Sequence, residues 1–419
     1  MAAQVVSRRL VKASADSSFK PHVLAFSNLD LINDVQYSMT CVYPKPPTGD
    51  FNAVVAAFEV HLPSFLNYFF PMAGRIVFNP SSSLPELHCS NQGAELIIGD
   101  MGVELSALYW RLSAESTKKM QIPYAEEVAL SVQLISFACG GFAVVWATHH
   151  LIGDGSFLIM LVRMWSELVR TGTISGGAPM HDRSVFFRPR DSPSYDSSVA
   201  GMFVPWDHER AANALTVDES FVERLYYVEE RDIAKLRVMA AGADGQRATR
   251  VQAVSAYLWK ILAGVVAASP RLADADKRCR QVWYVNGRNR LSSPEIRAAL
   301  RSYTGNVRSY VVGDAAVEAV LSRPLADVAA MVREAITGRN YDQLYQNLVD
   351  WVEVHKAAKF IEAPAAGFGS PTVAHTMLPF SSAGRHGFRL WPGLVGHAGG
   401  PQLREVVLRV LAVHIHPFR

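Results

Sequence analysis

The hydrophobic pattern changes period near residue 150. Phe142 to Thr148 is an apolar, β-branched run of strand length. Ser156 to Arg170 instead sets its polar residues Arg163, Ser166, Glu167 and Arg170 at helical spacing. Upstream, Val128 to Ala138, the pair Gly140-Gly141 and Phe142 to Ala147 predict a hairpin on a two-residue glycine turn. Ala53 to Tyr68 has helical spacing and stops before Pro71. Gly172 to Asp207 shows no period and carries Gly-Gly and several prolines, which marks a linker. Beyond it, Phe221 to Val228 and Gln281 to Val285 read as strands. Arg231 to Ala241 and Thr249 to Val266 read as helices, the second with Val251, Val254, Leu258 and Leu262 apolar. Alternation of strands and helices predicts an α/β protein, with no internal repeat or low-complexity tract.

Composition narrows the class. At 419 residues and 49% hydrophobic, the chain can bury two or three cores. Its 41 basic and 38 acidic residues leave a net charge of +3, which argues for neither nucleic acid nor an anionic membrane as partner. Cys41, Cys89, Cys139 and Cys279 are scattered, as in a reducing compartment, and Cys139, in an apolar run, reads as core. No segment has signal-peptide or membrane-spanning character. Arg8, Arg9 and Lys12 form a small basic cluster that reads as a solvated strand end, with a transit peptide as the alternative. A soluble cytoplasmic monomer is the expectation.

The candidate chemistry lies at the change of period, in His149-His150-Leu151-Ile152-Gly153-Asp154-Gly155. A histidine at a strand end with an acid four residues on suits proton transfer. Neighbouring strand side chains point to opposite faces, so His149 and His150 serve different surroundings. Asp154 reaches the start of the following helix, where it can cap N–H groups or pair with a cation. The alternative is a buried, hydrogen-bonded histidine pair beside a cap. A metal site is a weaker rival, because nothing nearby supplies a third ligand. Asn286-Gly287-Arg288 after a strand and Tyr303-Thr304-Gly305-Asn306 shortly beyond are, taken singly, turn signals.

Together these segments resemble the plant BAHD acyltransferases, the HxxxD-type transferases that use acyl-CoA thioesters. The resemblance runs from residue 1 to about residue 370. The His149–Gly155 stretch matches the family's central motif, and Phe70-Pro71-Met72-Ala73-Gly74-Arg75 is similar to its Pro-Leu-Ala-Gly-Arg segment. Asn286-Gly287-Arg288 stands where the family has Asp-Gly-Arg, Tyr303 to Asn306 where it has Tyr-Phe-Gly-Asn, and Thr249 to Lys260 is similar to its tryptophan-bearing helix, with Trp259 in place. The resemblance implies two chloramphenicol-acetyltransferase-like domains, each a mixed β-sheet with flanking helices, and an active-site channel at their interface. On this chain the domains would be 1–175 and 216–419, joined by a crossover at 176–215. It implies His150 as the general base, with Asp154 turned away to pair with Arg288, and Gly153 and Gly155 shaping the turn. Thr304, Gly305 and Asn306 become candidates for the substrate and CoA channel, and Phe69, Phe70 and Trp283 are aromatics for either a pocket or the core. Acyl-CoA is then a co-substrate, a small alcohol or amine the acceptor, with no bound cofactor and no metal.

The C-terminus departs from that pattern. An Asp-Phe-Gly-Trp-Gly-type segment is expected near residue 385, but the chain reads His386-Gly387-Phe388-Arg389-Leu390-Trp391-Pro392-Gly393. From His375 to Arg419 there are five histidines, five arginines, one acid (Glu405) and no lysine. Codons for His386 to Gly393, read one base later, can encode Thr-Asp-Phe-Gly-Phe-Gly-Arg, the missing segment. A reading-frame change between about Ala374 and Arg385 accounts for the tail, and the strand-like run Val406 to Ile415 would then be accidental. If the tail is genuine, a catalytically impaired homologue is the alternative to an active enzyme. A hydrolase using the same histidine on water is a third reading.

Overall fold

The computed structural model describes residues 2–14, 20–43, 45–46, 49–109, 119–205, 228–242, 245–270, 277–366 and 372–376. Its strands are β1 (Gln4–Val11), β2 (His22–Ala25), β3 (Gln36–Tyr43), β4 (Arg75–Phe78), β5 (Pro85–Cys89), β6 (Ala94–Asp100) and β7 (Leu130–Ser136). They continue with β8 (Phe142–His149), β9 (Phe203–Pro205), β10 (Arg278–Asn286), β11 (Arg308–Ala316), β12 (Phe360–Glu362) and β13 (Thr372–Thr376). The first large sheet runs β1-β6-β7-β8-β3 and is mixed, since β6 and β7 are parallel and its other pairs antiparallel. A second mixed sheet runs β11-β10-β13, with β13 parallel to β10. Smaller ladders join β2-β5-β4 and β12-β9.

Strand alternation divides the first sheet between two apolar layers. Phe142, Val144 and Trp146 of β8 pack with the helices Phe51–Tyr68 and Gly155–Thr171, while Ala143, Val145 and Ala147 face a smaller cluster around Ile97 and Ile135. Helix Gly155–Thr171 presents Phe157, Leu158, Leu161, Met164, Trp165 and Leu168 to that core at helical spacing. Trp165 stacks on Phe58 with centroids 4.2 Å apart and meets Trp146 edge-on at 5.8 Å. Gly172, left-handed at φ 75°, ends the helix. The predicted hairpin is present as β7–β8, but five residues, Phe137 to Gly141, connect the strands instead of the expected glycine pair, with Gly140 at φ 79°. Cys139 lies in that turn and is exposed, not core as its apolar neighbours suggested. The strand ends at Ser136, so the alternation that would bury Cys139 has already stopped.

A separate core surrounds the second sheet. Helix Arg250–Ala267 packs Trp259 edge-on to Trp283, centroids 5.9 Å apart, and Trp283 Nε1 donates to Ser255 Oγ at 2.9 Å. Thr249 and Gln252 close a reciprocal capping box at its start. Trp283, Phe69 and Phe70 are all buried in the cores. Leu29 and Ile32, early in the chain, also belong to the second core. The predicted strand at 221–228 falls, except for Val228, outside the described residues, as do Val406 to Ile415 and the rest of the altered tail beyond Thr376.

Candidate active site

β8 ends on His149, and a turn of five residues carries the chain to the helix that starts at Gly155. His149 is buried, with Nε2 3.4 Å from Asp34, and burial lowers its pKa to about 4. His150 leaves the strand on the other side. Its ring lies on Tyr37, centroids 4.6 Å apart, and its N–H donates to Val35 O at 2.8 Å. Its Nδ1 is buried and has no hydrogen-bond partner among the described residues. Burial depresses the imidazole's pKa, and the nearby Arg308 charge depresses it further, against a smaller opposing effect of Asp154. The ring is therefore neutral at pH 7, the form a base requires.

Asp154 is bound on both carboxylate oxygens. Oδ1 caps the helix by accepting from the N–H groups of Ser156 at 2.9 Å and Phe157 at 3.3 Å. Oδ2 accepts from Arg288 Nη1 at 2.6 Å and Val307 N at 2.9 Å. Burial alone would raise the pKa of this carboxyl; Arg288 and the two kinds of N–H contact outweigh it and hold the group ionised. Arg288 also donates to Gly305 O at 2.6 Å, which ties the histidine turn to the loop before β11. Two glycines allow this approach: a Cβ on Gly153 would stand 2.5 Å from Thr304 O, and one on Gly287 2.4 Å from the Tyr345 ring.

A second clasp holds the backbone of His150 itself. Asn306 Nδ2 donates to His150 O and to Asp30 Oδ1, each at 2.8 Å, and Asn306 N donates to the same Asp30 oxygen at 2.8 Å. Asp30 is fully buried, receives Ser27 N and Oγ on Oδ2, and lies 3.1 Å from Arg183 Nε. Arg183 bonds Ile152 O at 2.6 Å and Thr304 Oγ1 at 2.8 Å. Tyr37 Oη donates to Gly153 O at 2.7 Å. His150, Ile152, Gly153 and Asp154 are thus each held by residues far away in sequence, while Nδ1 of the half-buried His150 has no hydrogen-bond partner among the described residues.

A family model described as the Transferase family matches residues 1–383. The chain belongs to this family, the BAHD acyltransferases. It is similar to anthranilate N-benzoyltransferase protein 1 of Dianthus caryophyllus, 25% identical over 84% of this chain and 80% of the relative. Agmatine hydroxycinnamoyltransferase 1 of Oryza sativa subsp. japonica is 30% identical over 54% of this chain and 50% of its own. Among solved structures, vinorine synthase superposes with a TM-score of 0.63 at 21% identity, over 89% of this chain and 83% of that one. The F. sporotrichioides TRI101 protein, crystallised with coenzyme A and T-2, gives 0.67 at 14% identity, over 95% and 89%. The fold is accordingly the two-domain, chloramphenicol-acetyltransferase-like arrangement of mixed sheets, and the chain is an acyl-CoA-dependent acyltransferase.

In this BAHD acyltransferase the turn gathers His150, Gly153, Asp154, Gly155, Arg288, Gly305 and Asn306 into one network. Gly155 opens the helix. Thr304 and Asn306, expected along the channel, are buried, and their side chains bond Arg183, His181, Asp30 and His150 O within the protein. Asn306 Oδ1 is buried without a hydrogen-bond partner among the described residues. Gly305 contributes its carbonyl to Arg288, and a Cβ there would meet Tyr303 Oη at 2.5 Å. Asp30, Tyr37, His181 and Arg183 were not singled out from the sequence. Each has a partner more than a hundred residues away, which no local pattern marks. Among the described residues no cluster of three metal-ligating side chains occurs.

Proposed function

We propose that this enzyme transfers an acyl group, aromatic (hydroxycinnamoyl or benzoyl) or aliphatic, from a CoA thioester to a hydroxyl or amine of a plant specialised metabolite, with His150 as general base. The observation that carries this reading is the neutral, half-buried His150 ring with its backbone clasped on both sides, at the N–H by Val35 and at the carbonyl by Asn306. In this reading Nε2 is the ring nitrogen that accepts the proton. The acceptor's N–H or O–H gives its proton to Nε2 as the heteroatom attacks the thioester carbon. The C–S bond then breaks, and the imidazolium returns the proton to the CoA sulfur. General-base help of this kind is worth about 10²- to 10⁴-fold. Asp154 keeps its charge for Arg288 and the helix cap and takes no proton. The relatives named for amine acceptors, agmatine and anthranilate, and the fatty alcohol:caffeoyl-CoA acyltransferase of Arabidopsis thaliana support both acceptor classes. Four free, scattered cysteines fit action in the cytoplasm.

The tail supports a second reading, a catalytically impaired homologue. The family match ends at residue 383, inside the interval from Ala374 to Arg385 where the frame change is placed. Free-thiol release from benzoyl-, hydroxycinnamoyl- and acetyl-CoA, with and without amine and alcohol acceptors, decides between the readings. Acceptor-dependent release that disappears in His150→Ala supports the transferase. Release without an acceptor marks a hydrolase, and acyl-CoA binding without release marks the impaired homologue.

A further inference from the structure

The β10–β11 ladder has two unlike faces. Trp283, Val285 and Val311 enter the second core. Asn286, Tyr284, Arg308 and Tyr310 share the opposite face, as the cross-strand pairs Asn286 with Arg308 and Tyr284 with Tyr310. This polar face meets the histidine turn, since Asn286 Nδ2 donates to Ser156 Oγ at 2.8 Å. Two residues before Arg308, Asn306 holds the His150 carbonyl. The Arg308 charge weighs on the imidazole from this face.

The Arg308 side chain is 17% exposed. Its Nη2 donates to Glu362 Oε2 at 2.9 Å, and its guanidinium carbon lies 4.9 Å from the Tyr284 ring centroid. A guanidinium carries five N–H donors in a planar fork. Glu362 takes one of them, and Nε is buried without a partner among the described residues. A tie between β11 and β12 needs only the Nη2 bond. An unbonded, buried Nε is costly unless a second acceptor completes the fork, and a carboxylate fits that fork on two parallel bonds.

We propose that Arg308, oriented by Glu362 and Tyr284, determines specificity by binding a carboxylate carried on one of the two substrates. This rests on the acyl-transfer reading above. The carboxylate can belong to the acyl group, as in a malonyl donor, or to the acceptor, as in an aminobenzoate. Calorimetric binding to the full chain separates these sources through two matched pairs, malonyl-CoA against butyryl-CoA and 2-aminobenzoate against 2-aminobenzamide. In one pair the carboxylate binds the unaltered protein at least about tenfold more tightly. Arg308→Met combined with Glu362→Gln, which strands no charge, removes that preference and spares the neutral member's affinity. Arg308→Lys, a second variant that keeps the positive charge beside Glu362, retains only part of the preference. Equal affinity within both pairs, no binding by either carboxylate, or a preference that survives in the double variant overturns the proposal. The readout is binding, so a failure of general-base catalysis is seen separately, as absent acceptor-dependent CoA release from neutral substrates.

Discussion

At the scale of single residues, the site works by division of labour between two groups four positions apart. His150 is kept neutral by burial and by Arg308, whereas Asp154 is kept ionised by Arg288 and backbone N–H groups. The Asp154–Arg288 pair is almost fully buried, with side chains about 5% exposed. Breaking such a pair from one side leaves a stranded charge, at about 3–5 kcal/mol. Arg288→Met should therefore lower the urea midpoint at pH 7 strongly and reduce kcat even where the protein remains folded. Asp154→Asn, which keeps a cap oxygen but strands the buried Arg288 charge, should likewise lower the midpoint and lose turnover. Unchanged stability in Arg288→Met would show that the pair does not hold the turn.

At the scale of elements, the site needs a strand that stops at His149 and a helix that starts at Gly155. Both ends were legible in the residues, because the period of the apolar positions changes there and Asp154 is a good cap. Thr249 and Gln252 make a comparable start for the helix under the second sheet, remote from His150. Thr249→Ala should cost about 1 kcal/mol of stability with kcat unaltered; a fall in kcat would mean that this helix also sets the site. What the local pattern did not reveal is the clasp from Asp30 through Asn306 to His150, which spans 276 residues on one side and 156 on the other. Only the resemblance linked Asp154 to Arg288, because a pair 134 residues apart has no periodic signature. Cys139 shows the converse error: composition said core, and the end of a strand put the side chain in water.

At the scale of the whole molecule, two separate cores are joined through a polar, charged junction, and that makes the fold acid-sensitive. His149 is depressed from 6.5 to about 4 and His181 likewise, each chiefly by burial. Between those pH values the unfolded chain binds protons that the folded protein refuses. The stability is therefore complete above pH 6.5 and is lost as the pH falls toward 4. For His149 the full effect is about 3 kcal/mol. Urea unfolding at pH 7 and pH 5 should show the loss, and His149→Gln should shrink it; equal midpoints at both pH values would count against burial of the neutral ring.

The central claim is that a neutral His150, held by the clasped turn, takes the acceptor's proton. Acceptor-dependent CoA release, measured as kcat/KM from pH 5 to 8 for the unaltered chain and for His150→Ala, tests it most directly. Because burial depresses the imidazole's pKa below 6.5, the unaltered enzyme should hold its rate below that value, and His150→Ala should lose about 10²-fold or more throughout. An acidic limb centred at or above pH 6.5, or a variant as active as its parent, would contradict the account.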